Sequence, residues 1–259
     1  MLDLVDSHCH LDDDSFAPDR EAVIRRAREA GVRQQVIPAI RAADWPRVHD
    51  LCEQVSGLFP AYGLHPMYLA DHRPEHLDRL GEFLDAHPAV AVGECGLDFY
   101  VPGLDVQAQE HYLSGQFVIA LSLGLPVIVH ARRALDRVLW HIRRNPGLRG
   151  VVHSFSGSEQ QARQLTDLGF VLGLGGPLTY PRANRLRRLA RELPMSALLL
   201  ETDAPDQPLA GFQGQRNEPA RVLTVAMELA AVRGEPAEVI AATTSATARS
   251  LFSLPPPGS

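Results

Sequence analysis

Hydrophobic and polar positions follow one repeating pattern along the whole chain. Short apolar runs rich in β-branched residues alternate with longer segments in which apolar residues recur at helical spacing. In the segment 20–30, for example, Val23 and Ala27 fall on one side of a helix and most arginines on the other. The short runs are apolar on both faces, which is typical of parallel strands covered by helices. The predicted strands are Leu2–Ser7, Gln35–Ile40, Leu58–Leu64, Val90–Glu94, Pro126–His130, Gly150–Ser154, Phe170–Leu174 and Ala197–Thr202.

The number of these pairs indicates the fold class. Eight strand and helix pairs in 259 residues give about 32 residues for each pair, close to the ~30 residues of a βαβ unit. This predicts an α/β fold of the (β/α)8 TIM barrel type, although a doubly wound open sheet shows the same alternation. No low-complexity linker divides the chain. Residues 1–254 are therefore predicted as a single domain and the proline-rich residues 255–259 as a disordered tail.

The composition excludes several mechanisms. All 25 residues counted as lysine or arginine are arginine, so the chain contains no lysine. Schiff-base catalysis, a pyridoxal phosphate site and a Walker A loop each need a lysine amine and are excluded. The net charge of −6 argues against a broad basic surface that wraps DNA or an anionic membrane. Any contact with nucleic acid is therefore expected to be local.

The sequence also predicts the cellular compartment. The longest apolar stretch, Val118–Ala131, is too short to span a bilayer, and the first residues lack the basic and apolar regions of a secretory signal. The three cysteines are an odd number without CxxC spacing, which is typical of reduced thiols. We therefore expect a cytoplasmic protein without a membrane partner, and nothing in the sequence indicates an obligate protein partner.

Side chains that can bind metal stand at the carboxyl ends of the predicted strands. These ends form the face of a barrel on which active sites are built. His8 and His10 are two residues apart on one strand, so their side chains share a face and can chelate one ion. His130 and His153 come from neighbouring strands and could hold a second ion. The predicted ligands are thus His8 and His10 with Asp203, His130 and His153, and Glu94 between the two pairs.

A single histidine at a strand end is more often a hydrogen-bonded core residue than a ligand. The joint pattern argues otherwise, because burying six such groups is costly unless they are paired or bind metal. Imidazole and carboxylate together suit zinc, manganese or magnesium. The predicted cofactor is therefore a pair of divalent ions. The remaining histidines lie on predicted helices or loops and are expected at the surface: His49, His72, His76, His87, His111 and His141.

Several segments together resemble the TatD-type metal-dependent deoxyribonucleases, a family of amidohydrolase-like barrels. Asp6–Asp12 is similar to the opening signature of that family, Gly93–Phe99 to its GEIGLD element and Leu199–Pro205 to its LLETDAP element. The match extends in the family's order over most of the chain, and Asp206–Gln215 resembles the YjjV-like branch. The other matching segments are Pro126–Arg132, His153–Gly157 and Arg216–Pro219.

The resemblance implies a binuclear metal site. Its ligands would be His8, His10, Glu94 and Asp203 for one ion and Glu94, His130 and His153 for the other. Many related barrels bridge their ions with a carboxylated lysine, which this chain lacks, so the bridge is expected to come from Glu94. Two positions depart from the family pattern: Met67 stands where a second histidine is usual, and Thr247 where asparagine is common.

The implied activity is that of a metal-dependent hydrolase acting on ester bonds. The substrate would be DNA, cleaved as an exonuclease cleaves single-stranded or frayed ends, by water that two ions activate. We expect Asp203 to be the general base and His65 to contact the substrate or protonate the leaving group. Arg132 either binds a phosphate or forms a surface ion pair. The alternatives are hydrolysis of a small ester, lactone or amide, hydrolysis of an aminoacyl ester on RNA, and a metal-binding scaffold without catalysis.

Overall fold

A computed structural model of the protein describes residues 2–256 and shows the predicted alternation of strands and helices. The strands are β1 (Leu4–Asp6), β2 (Val32–Pro38), β3 (Leu58–Tyr62), β4 (Ala91–Asp98), β5 (Val127–Arg132), β6 (Gly150–Val152), β7 (Phe170–Leu174) and β8 (Leu198–Leu200). The α-helices are α1 (Arg20–Glu29), α2 (Trp45–Gln54), α3 (His76–Ala86), α4 (Val106–Leu123), α5 (Leu135–Arg143), α6 (Glu159–Asp167), α7 (Asn184–Glu192), α8 (Val222–Arg233) and α9 (Ala237–Phe252). Short 3₁₀ turns occupy several of the connections.

The strand order distinguishes the two fold classes that the sequence left open. Strands β1 to β8 form one sheet in the order of the chain, and the pairs for which a register is given are parallel, as in β4 and β5, where Gly96 lies opposite His130. A doubly wound sheet instead reverses its strand order at a switch point. The prediction of a (β/α)8 barrel is therefore confirmed.

Contacts between backbone segments divide the chain into two compact units that are interleaved in the sequence. The first unit contains the chain up to Ile37, Ser154–Ser158 and the chain from Val171 onward. In this unit, α9 packs against β1 and β8. The backbone N–H of Val5 donates to the Ser245 hydroxyl on α9 at 3.1 Å, and this hydroxyl donates to the carbonyl of Asp3.

The second unit contains Pro38–His153 and Glu159–Phe170. Strands β3 to β6 lie side by side in it, and α4 packs against β4. Helix α4 begins where the Asp105 carboxylate accepts the N–H of Ala108, a side-chain cap that satisfies one of the open donors of the first turn. It ends at Gly124, whose φ of 65° is the left-handed conformation that glycine adopts without strain.

The predicted C-terminal tail, residues 255–259, lies only partly within the described residues. Pro255 accepts a hydrogen bond from the Gln34 amide at 2.9 Å, while residues 257–259 of the predicted tail lie outside the described part of the chain. The division at residue 254 stays a prediction. Within residues 2–256, no helix has the length and hydropathy needed to cross a bilayer, and none of the three cysteines is in a disulfide.

Candidate metal centre

Three predicted ligands of the first unit face one another. The Nε2 atoms of His8 and His10 lie 3.2 Å apart, and Oδ1 of Asp203 lies 3.4 and 3.5 Å from them. Ligand atoms about 2.1 Å from an ion at tetrahedral angles are about 3.4 Å apart. The spacing of the three donor atoms therefore fits one ion.

The ends of β1 and β8 hold this group together through Asp6. Its buried carboxylate accepts the hydroxyl of Thr202 at 2.6 Å, the N–H of Thr202 at 3.0 Å and the N–H of His8 at 3.3 Å. Burial raises the pKa of Asp6 to about 7 in spite of these hydrogen bonds. The N–H of Asp203 donates to the carbonyl of His8 at 2.9 Å. Asp6 and Thr202 thereby hold the backbone segments that carry the predicted ligands His8 and Asp203.

The carboxylate of Asp203 is oriented by Gln207. Asp203 has a φ of 54°, in the left-handed region that residues other than glycine rarely adopt. The amide of Gln207 donates to Oδ2 of Asp203 at 2.6 Å, while Oδ1 is the oxygen close to the two imidazoles. The same amide hydrogen bonds with the hydroxyl of Ser154. Gln207 was not among the predicted site residues, and its position after the LLETDAP-like element was the available signal.

Glu201 lies buried beside the first group. One of its carboxylate oxygens accepts the N–H of Ser154 at 2.6 Å, and the carboxylate lies within 4.8 Å of a ring nitrogen of His8. A Cβ atom at Gly173 on β7 would overlap this carboxylate. The glycine therefore provides the space that Glu201 occupies.

The second unit contains another group of candidate ligands, which surround Glu94 on β4. Oε1 of Glu94 lies 2.8 Å from Nε2 of His153, 3.1 Å from Nε2 of His65 and 3.4 Å from Nδ1 of His130. The facing nitrogens of His130 and His153 are 3.3 Å apart. Glu94, His65 and His153 are buried, and His130 is nearly so. This spacing also fits a single ion.

Asp98 sets the tautomer of His130. Oδ2 of Asp98 lies 3.0 Å from Nε2 of His130, so a neutral imidazole carries its proton there and presents the Nδ1 lone pair towards Glu94. Burial disfavours the charged forms of Asp98 and His130, but the hydrogen bonds that these residues make favour the charged forms more strongly. The hydrogen bonds therefore lower the pKa of Asp98 to about 2 and raise the pKa of His130. A carboxylate behind a ligand imidazole is the usual support of a metal site. Asp98 was missed as a site residue, although it follows Glu94 by four positions and shares its side of the strand.

His65, which was predicted to contact the substrate or protonate the leaving group, is buried. Its Nδ1 accepts the N–H of Met67 at 3.2 Å, so the proton of the neutral ring is on Nε2, which points at Glu94. Burial lowers the pKa of His65 and favours this neutral form. The Met67 side chain, at the position where the family usually has histidine, is 42% exposed.

Two buried glutamines of α4 hold the strand ends that carry these residues. Gln116 accepts the N–H of Leu64 at 2.8 Å and donates to its carbonyl at 3.1 Å, directly before His65. Gln109 makes the same two bonds with Asp98, at 2.7 and 3.0 Å. Each side-chain amide thus pairs with a backbone N–H and carbonyl in the way that a peptide group of a neighbouring strand would. The two glutamines are seven residues apart, one helix face, and were not predicted.

Two histidines that were expected at the surface are buried. His72 donates from Nε2 to the carbonyl of His65 at 2.9 Å. His141 lies on the inner face of α5, where its Nδ1 is 3.3 Å from the hydroxyl of Ser114. For these two residues the prediction was wrong, because each ring is buried and one of its nitrogens faces a polar partner inside the protein.

Arg132, the predicted phosphate ligand, is exposed at the end of β5. Its guanidinium carbon lies 3.7 Å from the centroid of the Tyr100 ring. No ion pair of Arg132 is present within residues 2–256, so the surface ion pair that the sequence left open is not formed there.

A (β/α)8 fold with groups of imidazole and carboxylate side chains at its strand ends is typical of metal-dependent hydrolases. The family model described as "TatD related DNase" matches residues 5–253. The chain therefore belongs to the TatD family of metal-dependent hydrolases, as its sequence motifs indicated.

Individual relatives agree with this assignment. The chain is 43% identical over 254 residues to the "Uncharacterized metal-dependent hydrolase YjjV" of Escherichia coli, covering 97% of this chain and 98% of the relative. It is 31% identical over 261 residues to the "3'-5' ssDNA/RNA exonuclease TatD" of Klebsiella pneumoniae, covering 97% and 98%. A crystal structure of the E. coli YjjV protein superposes with a TM-score of 0.94 at 42% identity, over 97% of this chain and 98% of that one.

Proposed function

We propose that the protein is a divalent-metal-dependent phosphodiesterase that cleaves DNA, acting as an exonuclease on single-stranded or frayed ends. The observation that carries the proposal is the spacing of the donor atoms in the two ligand groups, 3.2 to 3.5 Å around Asp203 and 2.8 to 3.4 Å around Glu94. The relative from Klebsiella pneumoniae, named as an exonuclease on single-stranded DNA and RNA, supports this choice of substrate.

The proposed site would bind two divalent ions. His8, His10, Glu94 and Asp203 would hold one ion, and Glu94, His130 and His153 would hold the other, with magnesium, manganese or zinc as the metal. The two ions would bring four positive charges to the strand ends, so phosphate is attracted locally although the chain carries a net charge of −6. This proposal retains the cytoplasmic location expected from the sequence.

When bound, the ions would neutralise phosphoryl oxygens and lower the pKa of an attacking water. Asp203 accepts the proton of this water as the general base. The hydrogen bond from the Gln207 amide holds its carboxylate in one orientation for this role. His65 carries its proton on Nε2 and is the proposed donor to the leaving oxygen. Arg132 binds a phosphate of the substrate with its guanidinium group.

The test compares substrates and metals on one preparation. The protein is stripped of metal, its metal content is measured, and magnesium, manganese or zinc is restored. Cleavage is then measured on single-stranded DNA, on duplex DNA and on a panel of esters and lactones. We expect metal-dependent release of nucleotides, fastest from single strands. Turnover of esters or lactones without cleavage of DNA would favour the small-substrate alternative.

Two variants test whether a proposed ligand is required for activity and a carboxylate elsewhere on the surface is not. Asp203→Asn is expected to lose at least 100-fold in rate, because both a ligand charge and the base are removed. Asp85→Asn, on the exposed side of α3, is the matched control and should keep its activity. Cleavage without metal, or full activity in Asp203→Asn, would overturn the proposal.

A further inference from the structure

Two arginines and a tyrosine form an exposed cluster at the ends of β4 and β5. The guanidinium carbon of Arg132 lies 3.7 Å from the centroid of the Tyr100 ring, and that of Arg133 lies 4.7 Å from it. The Tyr100 side chain is 48% exposed, and both arginines are exposed. We call these three residues the Tyr100 cluster.

The Tyr100 cluster is connected to the candidate metal centre by short contacts. The N–H of Tyr100 donates to Oδ1 of Asp98 at 2.8 Å, and Oδ2 of the same carboxylate is 3.0 Å from His130. Arg132 follows His130 by two residues on β5 and therefore shares its side of the strand. One buried carboxylate thus fixes both the turn that carries the aromatic ring and a proposed metal ligand.

Ion pairs do not explain why two arginines stand beside Tyr100. Neither Arg132 nor Arg133 has a carboxylate partner within the described residues 2–256. Arg133 also has a φ of 55°, a backbone conformation that is unfavourable for a residue other than glycine. A strained, unpaired cation at a strand end is a feature that function explains better than stability.

A second pair of arginines beside an aromatic ring provides the contrast. On α5 the guanidinium carbons of Arg137 and Arg144 lie 4.2 and 4.5 Å from the Trp140 ring, which is 40% exposed. Here Arg137 makes two hydrogen bonds to the carboxylate of Glu110. Its charge is therefore neutralised within the protein, unlike the charges of the Tyr100 cluster.

We propose that the Tyr100 cluster is a nucleotide subsite that binds one unpaired nucleotide of a single-stranded substrate. Aromatic rings and guanidinium planes are the surfaces on which unpaired bases stack. The two guanidinium groups also bind phosphate oxygens. Bases within a duplex are already stacked on each other and cannot use the cluster. This inference rests on the proposed function and adds to it a reason for preferring single strands.

The first experiment measures whether a base contributes to binding. Protein in calcium, without a catalytic metal, is titrated with a fluorescent single-stranded octanucleotide, and then with versions that carry one abasic position each. At one position, loss of the base should weaken binding to the unchanged protein about five- to a hundredfold. In Tyr100→Ala the same abasic substitution should change binding less than twofold, and Tyr100→Phe should restore the penalty.

Trp140→Ala is the matched control for the loss of an exposed aromatic ring beside two arginines. It should keep the full abasic penalty of the unchanged protein. An equal abasic penalty in Tyr100→Ala, or no penalty at any position, would overturn the subsite. The absence of octanucleotide binding would also overturn it.

A second experiment tests the two arginines by their salt dependence. Each phosphate neutralised on a single strand contributes about 0.7 to the slope of log K against log salt. Arg133→Gln should therefore lower this slope by about 0.7, while Arg144→Gln beside Trp140 should leave it unchanged. Equal slopes in the unchanged protein and Arg133→Gln would contradict the role of Arg133.

The failures of the two proposals are distinguishable. If the protein cleaves DNA with magnesium or manganese but Tyr100→Ala keeps the abasic penalty, only the subsite is wrong. If Tyr100→Ala abolishes the penalty but no ion supports cleavage of DNA, the subsite stands and the proposed nuclease activity is wrong.

Discussion

Asp98 holds the imidazole of His130 in one orientation, with 3.0 Å between Oδ2 and Nε2. Since the other oxygen of Asp98 accepts the N–H groups of Tyr100 and Val101, at 2.8 and 3.0 Å, the carboxylate itself cannot rotate. The proton of a neutral His130 is thereby kept away from Glu94. If His130 binds a metal ion as predicted, Asp98 leaves Nδ1 as the nitrogen available to that ion.

Asp98→Asn should weaken metal binding at this group. An asparagine amide can donate to Nε2 of His130 and move the ring proton to Nδ1, the nitrogen that faces Glu94. We expect metal affinity to fall by about 10- to 100-fold, measured by competition with a chelating dye. The exposed Asp85→Asn should bind as the unchanged protein does. Equal affinity for both variants would contradict the proposed role of Asp98.

Gln116→Leu should destabilise the protein and disturb His65. The substitution leaves the N–H and carbonyl of Leu64 buried without their amide partner. At about 1–3 kcal/mol for each of these two unsatisfied buried groups, the free energy of unfolding should fall by about 2–6 kcal/mol, as measured by urea unfolding.

Helix α4 provides the control for this change. Gln107→Leu replaces the same residue type on the exposed side of the helix. It should change the free energy of unfolding by less than about 0.5 kcal/mol. A similar loss in both variants would show that the pairing of Gln116 with Leu64 contributes nothing specific.

The sequence could indicate candidate ligands because their positions follow the two-residue period of a strand. His8 and His10 share a face by spacing alone, and the turn to polar residues after an apolar run marks a strand end. The strand limits were less exact. The fourth predicted strand ended at Glu94, but β4 continues to Asp98, since Gly96 and Leu97 are still paired with β5.

Other residues of the site could not be read from periodicity. Gln116 contacts a peptide group 52 positions away, and Gln207 contacts Ser154 at a separation of 53. Such contacts depend on which helix or loop packs against which strand end. His141 shows a signal that was available, since it is flanked on α5 by Val138 and Ile142 of the buried face.

Thr202→Val should separate the ends of β1 and β8. The valine has nearly the same shape but removes the hydroxyl that donates to Asp6 at 2.6 Å. Because the carboxylate of Asp6 is completely buried, we expect a loss of about 1–3 kcal/mol in the free energy of unfolding. Thr202→Ser keeps the hydroxyl and should recover most of this loss in the same urea titration. A serine variant as unstable as the valine variant would show that packing of the Thr202 methyl group is responsible.

Gly173→Ala should displace Glu201, because the added Cβ atom would overlap the carboxylate of that residue. Overpacking of this kind costs about 1–3 kcal/mol, which is measurable as a lower midpoint of thermal unfolding. Gly81 on α3 is the matched control, because a Cβ atom there meets nothing within 4 Å. Gly81→Ala should raise the free energy of unfolding by about 0.5–1 kcal/mol, since alanine favours a helix over glycine. If both alanine variants were stabilised, Gly173 would not be required to make space for Glu201.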